Sequence, residues 1–214
     1  MRLILGDKAY STWSLRPWLV LKRCGAEFEE VIVPLNRPDT AEGIARHTGS
    51  GKVPVLEVEG ETIWDSLAIS LWAAERYPRV GLWPSDSHAR WMARAAVCEM
   101  HSAFAALRTE GGMGPDHPMV GAWGEETTPS AAVAADLKRL IDLWGQARAR
   151  FGTSGPYMFG EWSIADAFFT PVAARIRHYG WSLEALGDDG TARAFVETLL
   201  SQPDFLEWEA AAAS

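Results

Sequence analysis

Val53-Pro54-Val55-Leu56-Glu57-Val58, then Glu59-Gly60, Thr62-Ile63-Trp64 and Asp65-Ser66, is the stretch on which the fold turns. The run from Val53 to Val58 alternates as a half-buried strand does. Pro54 has no N–H, so it belongs at a strand's first residue or on an edge. With a cis Val53-Pro54 bond, the N–H and C=O of Val53 point outward and can pair with an extended peptide as an added strand does. The expected ligand is peptide-like. After the turn and the second short strand, Asp65-Ser66 opens a helical pattern with Leu67, Leu71, Ala74 and Tyr77 on one face. The N–H groups and positive dipole end of that helix, with the Ser66 hydroxyl, suit a carboxylate. Plain capping by Asp65 and Ser66 is the alternative.

Outward from this stretch, residues 1–78 alternate strand and helix: a strand at 3–5, a helix at 14–23, a strand at 28–33 and a helix at 40–47 precede the two strands and helix above. The order β-α-β-α-β-β-α predicts a small mixed sheet with helices on its faces. A linker at 79–87 follows, and the patterns in 88–214 are helical. Trp91, Ala95, Cys98, Ser102 and Ala105 recur at helical spacing through 89–108, and a Gly- and Pro-rich loop spans 111–124. Thr128-Pro129 predicts an N-cap with proline at the first helical position, ahead of Val133, Leu137, Leu140, Ile141, Trp144 and Phe151 on one face. Ser163-Ile164-Ala165-Asp166 predicts a capping box, and Pro171 is expected to bend the helix that it opens. Short helices are expected at 183–186 and 191–200.

Composition narrows the function. With 48% hydrophobic residues and 11 Trp, the chain can bury a sizeable core. Lys and Arg number 20 against 28 Asp and Glu, a net charge of −8 with no basic stripe, which argues against nucleic acid and anionic membranes as partners. Met1-Arg2-Leu3-Ile4-Leu5 is too short for a signal-peptide core, and no run of about 18 apolar residues occurs, so a soluble, cytoplasmic protein is expected. Cys24 and Cys98 form no C-x-x-C pair and are expected to be buried, reduced thiols. His47, His88, His101, His117 and His178 show no metal-ligand spacing, so no metal is expected.

Four motifs in this order resemble the glutathione S-transferase family over nearly the whole chain: Ser11-Thr12-Trp13-Ser14-Leu15-Arg16, Gly51-Lys52-Val53-Pro54-Val55-Leu56, Asp65-Ser66-Leu67-Ala68-Ile69 and Ser163-Ile164-Ala165-Asp166. The resemblance implies a thioredoxin-like α/β domain at 1–78 that binds glutathione, an all-α domain at 88–214 that shapes the second-substrate pocket, and a homodimer with the site near its interface. The first motif is most similar to the zeta class, which includes maleylacetoacetate isomerases and carries Ser-Ser-Cys-Ser followed two residues later by Arg. Ser11, Ser14 and Arg16 keep that pattern. Thr12, Trp13 and the continuation Trp-Ser-Leu-Arg-Pro-Trp depart from it, and a related bacterial subgroup of unassigned substrate is the safer comparison.

Redox members of the thioredoxin-like fold carry a cysteine where Ser11 stands, and Ser11 forms no thiolate of its own. Its hydroxyl can instead donate to the sulfur of glutathione. A free thiol titrates near about 8.5, and a charge-assisted hydrogen bond of about 1.5–3 kcal/mol supplies roughly one to two units of depression. Ser11 is thus the expected thiol activator, with Ser14 or the backbone N–H of Thr12 or Trp13 as second donors, and capping by Ser11 or Ser14 as the alternative. On the same resemblance Lys52 meets the glycyl carboxylate, Val53 and Pro54 the cysteinyl backbone, and Asp65 and Ser66 the γ-glutamyl end. Trp13 borders glutathione and the second pocket, which His101, Phe104, Arg108 and Met113 surround. An arginine such as Arg108 in an apolar pocket orients an anionic substrate. Conjugation of glutathione to an electrophile is the leading expectation. A glutathione-dependent cis–trans isomerase and a non-catalytic glutathione- or ligand-binding protein are the alternatives.

Overall fold

The computed structural model describes residues 1–212. Its first part runs β1 (Arg2–Leu5), α1 (Thr12–Arg23), β2 (Glu29–Ile32), α2 (Thr40–Ala45), β3 (Val55–Val58), β4 (Glu61–Trp64) and α3 (Ser66–Arg76). The sheet order is β2-β1-β3-β4, with β1 parallel to β2 and antiparallel to β3, and β3 antiparallel to β4. Leu3 pairs with Leu56 and Ile4 with Val55. Because side chains alternate across a strand, Leu3, Leu5 and Leu56 enter the main core, while Ile4 and Val55 join Val33 and Ile44 in a smaller cluster. This is the thioredoxin-like arrangement expected from the sequence.

After a 3₁₀ turn at Pro78–Val80 come α4 (Ser87–Ser102), α5 (Ala105–Thr109), α6 (Ala131–Phe151), α7 (Ile164–Tyr179), α8 (Thr191–Ser201) and α9 (Pro203–Ala212). Helix α7 is buried from Ile164 to Arg177 and packs against α1, α4 and α8. It is apolar around nearly its whole circumference, as a central helix must be, and it continues through Pro171. Its start is pinned by Asp166, whose buried carboxylate accepts from Met158 N–H (3.0 Å), Ser163 N–H (2.8 Å) and the Ser163 hydroxyl (3.1 Å). Among the described residues no helix is long and apolar enough to cross a membrane.

Several details differ from the sequence expectations. Pro54 precedes the third strand, which begins at Val55. In α4 the buried face is Ala89, Ala93, Ala96, Val97 and Met100, not the face of Trp91, which is 61% exposed. Small side chains let α4 approach α7, and the large aromatic is left at the surface. In α3, likewise, Ser66, Ile69, Ser70 and Ala73 are buried, whereas Leu71 is exposed. The expected helix at 89–108 breaks at Ala103 and at Phe104, whose φ of 59° is left-handed. Arg108 reaches back across that break to the carbonyls of Met100 and Ala103, satisfying groups that the end of α4 leaves without helical partners. Ser130 caps α6 in place of Thr128, accepting from Val133 N–H at 3.2 Å. Cys98 is exposed and Cys24 is half-buried, so neither is the fully buried thiol expected. Helix α9 lay in no sequence pattern. Pro203 opens it, and the Trp208 indole donates to the Lys8 carbonyl at 2.8 Å, tying it to the first part of the chain.

Burial pushes the Asp166 carboxyl up to about 6, against the hydrogen bonds that favour its ionised form. A carboxyl that titrates higher folded than unfolded takes up a proton on folding, so its contribution to stability is present below about pH 4 and is lost as pH rises toward 6. Asp166→Ala strands three donors and is expected to cost about 3 kcal/mol or more. Denaturant unfolding of the parent, Asp166→Ala and Asp166→Asn across this pH range checks both statements, with the Asn variant lacking the pH-dependent part.

Candidate active site

The site is built where β1 turns into α1. Gly6 N–H donates to Ser14 Oγ at 3.0 Å, and Ser11 Oγ lies 2.8 Å from the same oxygen. A Cβ at Gly6 would stand 2.8 Å from Ser11 Oγ and 2.5 Å from Leu35 Cδ1, so a larger residue would push both side chains aside. Ser11 is the N-cap of α1 by position, yet its side chain makes no capping hydrogen bond. Its hydroxyl is spent on Ser14 instead. Ser14 is wholly buried, whereas Ser11 lines a cavity.

Two cavities meet at Trp13, Leu35 and Val53. The larger, about 700 Å³, is walled further by Lys52, Pro54, Asp65, Ser66 and His101. The Val53-Pro54 bond is cis. Asp65 has φ 78° and caps α3, its Oδ1 accepting from Leu67 N–H (2.8 Å) and Ala68 N–H (3.4 Å), while Oδ2 lies 3.3 Å from His101 Nε2. Two buried polar atoms on this wall, Ser66 Oγ and His101 Nδ1, have no protein partner. Burial holds His101 below the usual histidine range, with Asp65 pulling the other way. A ligand with both a carboxylate and an ammonium group matches these donors and acceptors.

The second cavity, about 340 Å³, is bounded by Tyr10, Ser11, Thr12, Arg108, Met113 and Arg175 as well as the shared residues. Arg175 bonds the Gly111 carbonyl (3.0 Å), the Pro171 carbonyl (3.3 Å) and Thr12 Oγ1 (3.4 Å). These partners are neutral. Burial pushes Arg175 down to about 10 and lowers Arg108 as well. A third arginine, Arg16, lies fully buried with its guanidinium carbon 4.1 Å from the Trp13 ring centroid and 5.0 Å from that of Phe168. Its three guanidinium nitrogens make no hydrogen bond. Burial drives it well below the usual arginine range, Arg108 and Arg175 push the same way, and Asp65 opposes.

The residues expected at the site thus divide between several places. Lys52, Pro54, Asp65 and Ser66 share the larger cavity with His101, which the sequence reading had put beside the second substrate. Ser11, Arg108 and Met113 share the smaller one, and Trp13 and Val53 wall both. Ser14 lies behind Ser11, and Phe104 belongs to the core, lining neither cavity. Arg175 was missed. Its signal was a charged residue among the apolar positions of a helix that is buried from Ile164 to Arg177. Arg16 was read only as part of a motif, with no role of its own.

Residues 10–76 match the family model described as glutathione S-transferase, N-terminal domain. Among solved structures, a maleyl pyruvate isomerase described as a bacterial zeta-class glutathione S-transferase aligns at a TM-score of 0.74 and 21% identity, covering 99% of this chain and 98% of that one. A glutathione transferase homolog from Burkholderia, solved with bound glutathione, gives 0.71 and 20%, covering 99% and 97%. A glutathione transferase from Methylococcus capsulatus gives 0.70 and 19%, covering 99% and 98%. No curated protein sequence matches the chain. The architecture is that of the glutathione transferases. The likeness to the family model is carried by residues 10–76, and the likeness in fold extends over the whole chain.

Ser14→Ala removes the acceptor of the Gly6 N–H and the partner of Ser11. Leaving a buried backbone donor unpaired is expected to cost about 1–3 kcal/mol, read by denaturant unfolding without ligand.

Proposed function

We propose that this protein is a glutathione transferase in which Ser11 activates the glutathione thiol for attack on a small electrophile that carries a negative charge. One observation carries the reading: Ser11 lines the smaller cavity, which holds two arginines and adjoins the larger one with its Asp65, Ser66 and Lys52. Glutathione fits the larger cavity by charge. Asp65 takes the γ-glutamyl ammonium and Ser66 its carboxylate, filling the unpaired Oγ. Val53 pairs with the cysteinyl backbone, and Lys52 meets the glycyl carboxylate. The sulfur then sits at Ser11.

The serine pair explains how Ser11 is freed for this. Reversing the two hydroxyls gives a chain from Gly6 N–H to Ser14, from Ser14 to Ser11, and from Ser11 to sulfur, over the 3.0 and 2.8 Å separations already given. Each donor in such a chain polarises the next. Ser14 is a positioning residue in this scheme and never meets the ligand. The dipole of α1 also favours an anion at its start.

A second reading, glutathione-dependent cis–trans isomerisation, draws on Arg108 and Arg175 in the small cavity and on the likeness to a maleyl pyruvate isomerase. The same thiolate adds to a conjugated double bond, the bond rotates, and glutathione leaves unchanged. Consumption of glutathione separates the two. For the homodimer implied by the resemblance, an apolar surface is available beside the larger cavity, where Trp64 on β4 and Leu71 on α3 are 56% and 41% exposed.

Ser11→Ala is expected to raise the titration of the bound thiol by about one to two units, read as thiolate absorbance against pH. An unchanged titration removes Ser11 from the mechanism. Arg175→Gln is expected to raise KM about tenfold for the anionic chloronitrobenzoate and to leave the neutral chlorodinitrobenzene nearly unaffected. Equal losses on both electrophiles would count against a charged second substrate.

A further inference from the structure

We propose that Arg16, which lines neither cavity, is a positioning residue that acts through its field as the interior cation keeping the glutathione sulfur ionised. The inference rests on the reading of Ser11 as the residue beside that sulfur.

The argument begins with what Arg16 lacks. Among the described residues no ion pair holds it, and its guanidinium nitrogens have no hydrogen-bond partner. Its closest company is aromatic, the rings of Trp13 and Phe168. Ring faces attract a cation without neutralising it. A buried, unpaired charge is costly, and a chain that needed only volume there has apolar side chains of similar length to use. Arg177, by contrast, is also buried but pairs with Glu209 and the Met119 carbonyl.

Every element around Arg16 brings charged or titratable groups to bear. Helix α5 brings Arg108, α7 brings Arg175, α4 brings His101, and the residue capping α3 is Asp65. The Arg108 guanidinium lies 4.8 Å from the centroid of the same Trp13 ring. On the α9 side, Asp204 and Glu207 are taken by Arg23 and Lys22 near the other end of α1. Asp136 on α6, which accepts from Leu107 N–H, opposes Arg108, so three arginines stand against Asp65 and Asp136 and leave the neighbourhood positive. Because Trp13 walls both cavities, that field reaches the junction through protein rather than water, where screening is weak. A positive charge near a thiol favours the thiolate. The proton leaves to solvent, and no bond to Arg16 forms or breaks.

Position separates Arg16 from its neighbours. Arg108 and Arg175 line the small cavity and can touch an anionic electrophile. Arg16 cannot, so its effect must be the same for every electrophile. The test uses Arg16→Met, which puts an unbranched apolar side chain into this setting without stranding a polar group, and Arg16→Lys, which restores a charge. In Arg16→Met the thiolate absorbance of bound glutathione is expected to titrate about one unit higher. Turnover at neutral pH falls about tenfold with chlorodinitrobenzene and chloronitrobenzoate alike and recovers in alkaline buffer. Arg16→Lys moves both readouts back toward the parent.

Should Arg16→Met not fold, Arg16→Gln replaces it. A folded, glutathione-binding variant of either kind with the parent's titration overturns the proposal. Failure of both to fold also overturns it, by making Arg16 a structural cation. Failure of the parent chain to bind glutathione at all would instead defeat the proposed function.

Discussion

Helix α1 is enclosed by α3 on one side and by α7 and α9 on others, and the geometry of the cleft follows from that enclosure. From Ser14 to Leu21 each of its residues is buried. Leu15, Leu19, Val20 and Leu21 are fully buried and contribute about 1.5–3 kcal/mol each. That is enough to offset the several kcal/mol that carrying a charged Arg16 into the same packing costs. The fixed helix start then holds Ser11 and Thr12 on the smaller cavity and Trp13 at the junction of the two. Helix α7, anchored at Asp166, brings Arg175 to Thr12 from the other side. The site is therefore made by packing between the two parts of the chain, and neither part alone contains it.

This origin explains what could be read in the sequence. The order of strands and helices up to residue 76 was legible because alternation, the turn Glu59-Gly60 and the helix start at Asp65-Ser66 are local signals. The Ser163–Asp166 start of α7 was legible for the same reason. Which face of α3 or α4 is buried was not. Periodicity followed Leu71 in α3 and Trp91 in α4, but packing buried Ser66, Ile69, Ser70 and Ala73 in one and Ala89, Ala93, Ala96, Val97 and Met100 in the other. The break at Phe104 was hidden too, since it depends on a left-handed residue and on Arg108 closing the exposed carbonyls.

Within the site, residues next to one another in sequence ended up with different tasks. Ser11 and Ser14 read alike as helix-start serines, yet one faces a cavity and the other is sealed behind it. Arg175 stands 163 residues from its partner Thr12, so nothing local announced it. His101 moved from the expected second pocket to the wall that carries Asp65, because the break after α4 fixes where that helix ends. Local chemistry named candidates; only the packing of α4, α5 and α7 over α1 decided which cavity each one lines.

The charge layout gives the two cavities opposite preferences. The larger offers a carboxylate, a lysine and a helix start, a set suited to a zwitterion. The smaller offers arginines hydrogen-bonded to neutral carbonyls and a hydroxyl, with Asp136 opposing Arg108 alone, and so keeps a net positive charge for whatever enters. On the proposed reading, a sulfur beside Ser11 is drawn toward its anion by this charge before any electrophile arrives. An electrophile with a carboxylate would be oriented by the same arginines that favour the nucleophile, which links thiol activation and substrate choice to one source of charge. Conjugation and isomerisation share this first step, and they part only on whether the adduct keeps its glutathione or expels it.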